Sequence, residues 1–198
     1  MEIPAKAEEA IPNRLMAFGI DWVVLAILSA IIWFVFWILR SVLLLGGAAS
    51  GGAAADGAGI LSILLSFVQW GLIAAVLLAY FVLFQTRSGQ TLGMNLLDVT
   101  VVTLDGSSIS TRQALIRNVV LLAPLPFMAI SSIIVPILGF PIAVGMMAAW
   151  LFVELAAMFV LGEGQRIGDK AAGTFVVETL VTEDVAGTPD GSTRPADA

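Results

Sequence analysis

Position 21 holds an aspartate inside an apolar stretch, Leu15 to Leu39, that contains no other charge. An ionised carboxylate at membrane depth is expensive unless it is paired, hydrated or protonated, so Asp21 needs a partner or a role. Glu154 is the only charge between Asn118 and Leu161. It lies eight residues before Gly162, about 10–12 Å deep if its helix leaves the membrane there. Arg14 precedes Asp21 by seven residues, two turns or ~10 Å along a helix and within ~20° of the same face. That is too far for a direct contact, so each meets something else. The matched depths of Asp21 and Glu154 allow two carboxylates to share one low-dielectric site. They would raise each other's pKa and form a proton-sharing pair or a small-cation site, with Gln69 adding a neutral oxygen. Asp169, at the edge of the last apolar run, is the natural partner for Arg14. In the alternative reading, Arg14 and Asp169 form an interfacial salt bridge that fixes topology, and Asp21 anchors one helix to another.

Composition narrows the chemistry. The 198 residues are 59% hydrophobic and 12% charged, against roughly 25% charged in soluble domains. With no cysteine and no histidine, disulfides, Cys- or His-ligated zinc, haem, iron–sulfur clusters and any Cys or His nucleophile pair are excluded. No cofactor or resident metal is expected, and without a visible nucleophile–base pair the protein is not expected to be an enzyme. Fifteen acidic against nine basic residues, only Lys6 and Lys170 being lysine, argue against nucleic acid binding. The acidic excess suits a salt-rich cytoplasm such as a halophile's.

The elements that must position these residues are membrane helices. Spans are expected over about 15–39, 60–84, 118–135 and 141–161, each near the length needed for a ~30 Å hydrocarbon core. The first run is too long for a signal-peptide core and stays in the chain. Residues 1–13 read as a polar cytoplasmic arm, with Pro12-Asn13 capping a helix that starts near Arg14. The Gly/Ala/Ser stretch 46–59 reads as a flexible extracytoplasmic loop. Pro136, Gly139 and Pro141 break the last apolar run in two, and Pro124 and Pro126 kink its first part, leaving backbone groups that neighbouring helices must satisfy. Between spans, residues 98–104 alternate and are β-branched, Asp105-Gly106 signals a turn, and Ser110 with Gln113 has capping-box spacing. Residues 174–180 form a second strand-like segment, and 179–198 read as a disordered tail. Eight of the nine basic residues lie on the side of the termini and only Arg40 on the other, which places both termini in the cytoplasm.

Two segments echo each other. Gly89-Gln90-Thr91-Leu92-Gly93 aligns with Gly164-Gln165-Arg166-Ile167-Gly168, and the same offset of 75 residues carries Val101-Val102 onto Val176-Val177. A parallel repeat of helix hairpin, glycine turn and short strand is one known construction of transporters. The glycines lack the Gly-Lys-Ser/Thr ending of a phosphate loop and read as membrane-exit turns.

Arg14 with Asp21, Gly89-Gln-Thr-Leu-Gly93, Arg112-Gln-Ala-Leu-Ile-Arg117 and Gly168-Asp169-Lys-Ala-Ala-Gly-Thr174, in this order over about residues 12–178, resemble the RDD family. That family is named for one arginine and two aspartates, which the resemblance places at Arg14, Asp21 and Asp169. It implies a small prokaryotic multi-spanning membrane protein, with transport suggested and sodium/proton antiport described for some relatives. The fold expected is thus an all-α membrane protein, a bundle of four transmembrane helices over residues 14–178 with a short cytoplasmic strand or hairpin. The function expected is cation/proton exchange in the cell membrane. Its partners would be the bilayer, a monovalent cation, a proton and, the bundle being narrow, a second copy. The alternative is a non-transporting adaptor whose cytoplasmic surface binds a partner.

Overall fold

The computed structural model describes residues 3–134, 139–160 and 163–179. A short helix α1, Ile3–Glu9, leads into a 40-residue helix α2, Ile11–Ser50, and a 37-residue helix α3, Gly52–Ser88. The short helix α4, Leu92–Leu96, and strand β1, Val99–Thr103, follow. Helix α5, Thr111–Val119, passes through a 3-10 turn at Val120–Leu122 into α6, Leu125–Ile134. Helix α7, Gly139–Val160, helix α8, Ile167–Ala172, and strand β2, Thr174–Glu178, complete the elements of the described residues. The break expected at Pro136 and the tail expected beyond residue 179 fall outside the described residues.

Three stretches are long and apolar enough to cross a membrane: α2, α3 and the bent run Thr111–Ser131. A fourth apolar stretch, Val144–Val160 in α7, is shorter. The first two exceed the spans read from hydropathy because the expected loop at 46–59 is helical. Alanine is the strongest helix former, and only Gly51 and Gly52, with φ of 67° and 52°, leave the helical region. The hairpin closes tightly because Gly47 lies against Ala58, with no room for a Cβ. The expected polar arm likewise forms a helix. Pro12 is tolerated in the first turn of α2, where its missing N–H would have had no partner anyway.

Pro124 bends the third span as expected. Its ring nitrogen cannot donate to the Val120 carbonyl, which accepts from the Ala123 N–H at 3.2 Å and from the Trp150 indole N–H of α7 at 3.1 Å. The capping box of Ser110 and Gln113 opens α5, and Gly106 turns the chain with φ of 82°.

β1 and β2 pair antiparallel from Val99↔Glu178 to Thr103↔Thr174, with Val101 opposite Val176 at the centre. Those two valines are repeat counterparts, so the ladder is centred on a local two-fold axis. The flanking turns obey it as well. Gly89 and Gly164 both take left-handed φ, 71° and 62°. Gln90 Nε2 donates to the Val99 carbonyl at 3.1 Å, and Gln165 Nε2 to that of Thr174 at 2.9 Å, each partner 75 residues on. Gly93 presses against the Ala17 carbonyl of α2 and Gly168 against the Arg117 carbonyl of α5. The repeat seen in the sequence is therefore present in the backbone.

Candidate functional site

At one end of the bundle the short helices α4 and α8 meet the long helices, and the buried charges gather there. Asp21 is completely buried and accepts three hydrogen bonds. Tyr80 Oη of α3 donates at 2.6 Å, Thr91 Oγ1 at 2.5 Å, and the Gly93 backbone N–H at 2.8 Å. The last two belong to the start of α4, where backbone N–H groups are unsatisfied and favour a carboxylate. Asp21 thus ties α2 to α3 and to the start of α4.

Asp169 is equally buried and is surrounded by arginines. Arg14 Nη2 bonds its Oδ2, which also accepts the Arg166 backbone N–H at 2.9 Å. Arg117 Nε and Arg166 Nη2 lie 3.1 and 3.4 Å from Oδ1. The other Arg14 terminal nitrogen donates to the Gly164 carbonyl. Arg166 also stacks over the Phe18 ring, 5.1 Å from its centroid, a cation–π contact. Burial pushes the Arg166 guanidinium down from its ordinary value, and the carboxylates of Glu154 and Asp21 pull it back. Since arginine keeps its proton, three buried cations require buried anions.

Glu154 supplies the third. It is 1% exposed on α7, within electrostatic reach of Arg166, Arg14 and Arg117. Neither of its oxygens has a hydrogen-bond partner among the described residues. The Gly168 backbone N–H lies close to the carboxylate. Three arginines therefore face three carboxylates, and the six formal charges cancel.

The expected Arg14–Asp169 contact forms. Asp21 and Glu154 lie at one end of the bundle, yet each of the three hydrogen bonds to Asp21 comes from Tyr80 or the α4 turn. Gln69, buried in α3, sits eleven residues from Tyr80, about 16 Å along the helix, and does not join them. The sequence reading missed Tyr80 and Thr91 as partners of Asp21, and Arg117 and Arg166 as members of the ion cluster. A signal for Tyr80 exists: it is the only tyrosine, 29 residues after Gly51, and Asp21 is 30 before. Reading 46–59 as a loop hid that match.

The RDD family matches residues 10–173. This chain belongs to the RDD family. No curated protein and no solved structure matches it. With its long apolar helices, this RDD protein is a membrane protein. The arginine and two aspartates that carried the resemblance fall at two joints at the same end of the bundle, Asp21 at α4 and Arg14 with Asp169 at α8.

Gly93 offers a direct test of this joint. An added Cβ would run into the Ala17 carbonyl and lie 3.0 Å from Asp21 Oδ1, forcing α4 off α2. Gly93→Ala should lower stability by about 2–3 kcal/mol, as overpacked sites do. At Gly71 of α3 nothing lies within 4 Å, so Gly71→Ala should be neutral or slightly stabilising. Thermal unfolding in detergent compares the two. Equal midpoints would show that α4 is not clamped at Gly93.

Proposed function

We propose that this RDD protein is a cation/proton exchanger of the cell membrane, with both termini cytoplasmic, α7 as a fourth crossing and Glu154 as the exchanging carboxylate. The observation that carries the reading is a buried glutamate on a membrane helix with both oxygens free of hydrogen bonds among the described residues. A buried ionisable group of this kind in a membrane segment marks an ion or proton pathway. Asp21 suits the task less, because a cation bound there would displace three hydrogen-bond donors that hold α4 in place.

Charge balance supports exchange. With Glu154 ionised the cluster is neutral. A proton or a monovalent cation on its carboxylate adds the same single positive charge. The two therefore compete for one site, and the protein cannot hold both without a further uncompensated buried charge.

Sodium-driven proton movement in proteoliposomes tests this. Glu154→Gln should lower flux per folded molecule at least ~10-fold; it also leaves three buried arginines against two carboxylates, so its melting temperature should fall and flux is compared at equal amounts of folded protein. Flux retained in that variant sinks the assignment. A wild type with no flux for sodium or lithium removes exchange altogether and favours the adaptor.

A further inference from the structure

Between α2, α3, α6 and α7 lies a cavity of about 290 Å³ with almost wholly apolar walls. On α2 the wall is written in a short pattern. Ala26, Ser29 and Ala30 recur at helical spacing as small residues, with Trp22 at one end and Trp33 at the other. Small side chains there leave a slot that the bulky residues of the facing helices do not fill. The slot opens sideways along α2, where Ala26 and Ala30 are exposed, and left empty it would forfeit van der Waals contacts on its walls, whereas apolar cavities readily take apolar guests.

We infer that the slot holds one acyl chain of a membrane glycerolipid from the inner leaflet, with its ester carbonyl accepting a hydrogen bond from Trp22. Three observations point to this occupant. The helices that form the slot present large apolar residues outward, such as Val23, Ile27 and Ile31 of α2, so the surrounding medium is lipid. Trp22 to Trp33 spans eleven residues, about 16 Å, close to one leaflet of a ~30 Å hydrocarbon core. The Trp22 indole N–H is buried and has no acceptor among the described residues. Trp22 follows Asp21, at the level where α2 meets the surface helix α4, which is the depth at which ester carbonyls lie. Chain and carbonyl therefore fit slot and donor at the same time.

The test is native mass spectrometry of the full chain in detergent after equilibration with a diester phosphatidylglycerol, compared with its diether analogue. One diester lipid should stay bound at collision energies that strip the loosely held annulus, and the diether, lacking the carbonyl, should be retained several-fold less. Ala30→Phe, which fills the slot, should lose the retained lipid at least ~5-fold. Val23→Phe, which adds the same ring on an outward face, should keep it. Should Ala30→Phe fail to fold, Trp22→Phe decides, since it removes the N–H but keeps an aromatic ring, and retention should fall several-fold. A wild type that retains no lipid, an Ala30→Phe variant that retains as much as wild type, or Trp22→Phe and diether retention equal to wild type with diester would each overturn the assignment.

Discussion

Asp169→Asn is expected to prevent the protein from accumulating in the membrane as a folded species. The carboxylate is fully buried and is the only acid in ion-pair contact with Arg14, Arg117 and Arg166 among the described residues. Its neutral replacement leaves three buried cations against two carboxylates, one of which, Asp21, is committed to α4. Breaking a buried ion pair from one side costs about 3–5 kcal/mol, because the surviving charge stays desolvated. Here one acid serves three bases, so the upper end applies, comparable with the total stability of many domains. The yield of monodisperse protein after solubilisation, and its melting temperature, measure the effect. Arg14→Lys, which keeps the charge and loses the forked geometry, should be much milder. If Asp169→Asn is as stable as Arg14→Lys, the cluster is not held by its charge.

Asp21→Asn is expected to cost less, about 2–4 kcal/mol, and to act mainly on the α4 joint, since Asp21 has no ion-pair contact with an arginine among the described residues. Tyr80, Thr91 and the Gly93 N–H all donate to the carboxylate. An amide keeps one acceptor oxygen and replaces the other with a donating NH₂ group, so at least one of the three buried donor hydrogens loses its acceptor. The α3–α4 turn should loosen, which faster hydrogen exchange at Gly93 and Met94 would report. Flux per folded molecule should be retained, which separates Asp21 from Glu154. A folded Asp21→Asn variant that loses flux without losing stability would move the exchanging role to Asp21.

The two halves of the repeat differ most in their charges. The Ala17 and Arg117 carbonyls take equivalent positions under Gly93 and Gly168, an offset of 100 residues. By that offset Arg14 corresponds to Ala114 and Asp21 to Leu121, while Arg117 corresponds to Ala17. All six of these residues are buried. The first half supplies the acid that holds α4 on α2. In the second half α8 carries its own acid, Asp169, which draws an arginine from each half. The charge difference between the two halves is thus confined to a few buried positions at one end of the bundle.

Much of the fold was legible because the relevant physics is local. Apolar runs of spanning length, the β-branched segments at 99–103 and 174–178, the Ser110–Gln113 capping box and the glycine turns each depend on neighbouring residues. Errors arose where composition had two local solutions. The Ala/Gly stretch at 46–59 could be a loop or a helix, and packing of Gly47 on Ala58 selects the helix. The same holds for residues 3–9, where the buried Ala7 and Ala10 hold a helix that polar neighbours had disguised.

By itself the sequence determined that this is a membrane protein built of long apolar helices with an internal echo, and that Asp21, Glu154, Arg14 and Asp169 are its costly residues. Only the tertiary structure decided who meets whom. Tyr80, Thr91 and Gly93 are 59 to 72 residues from Asp21, and Arg14 is 155 from Asp169. Hydropathy sets how deep a residue lies in the bilayer, but the rotation of each helix, and so the partner its buried charge faces, is set by packing against its neighbours.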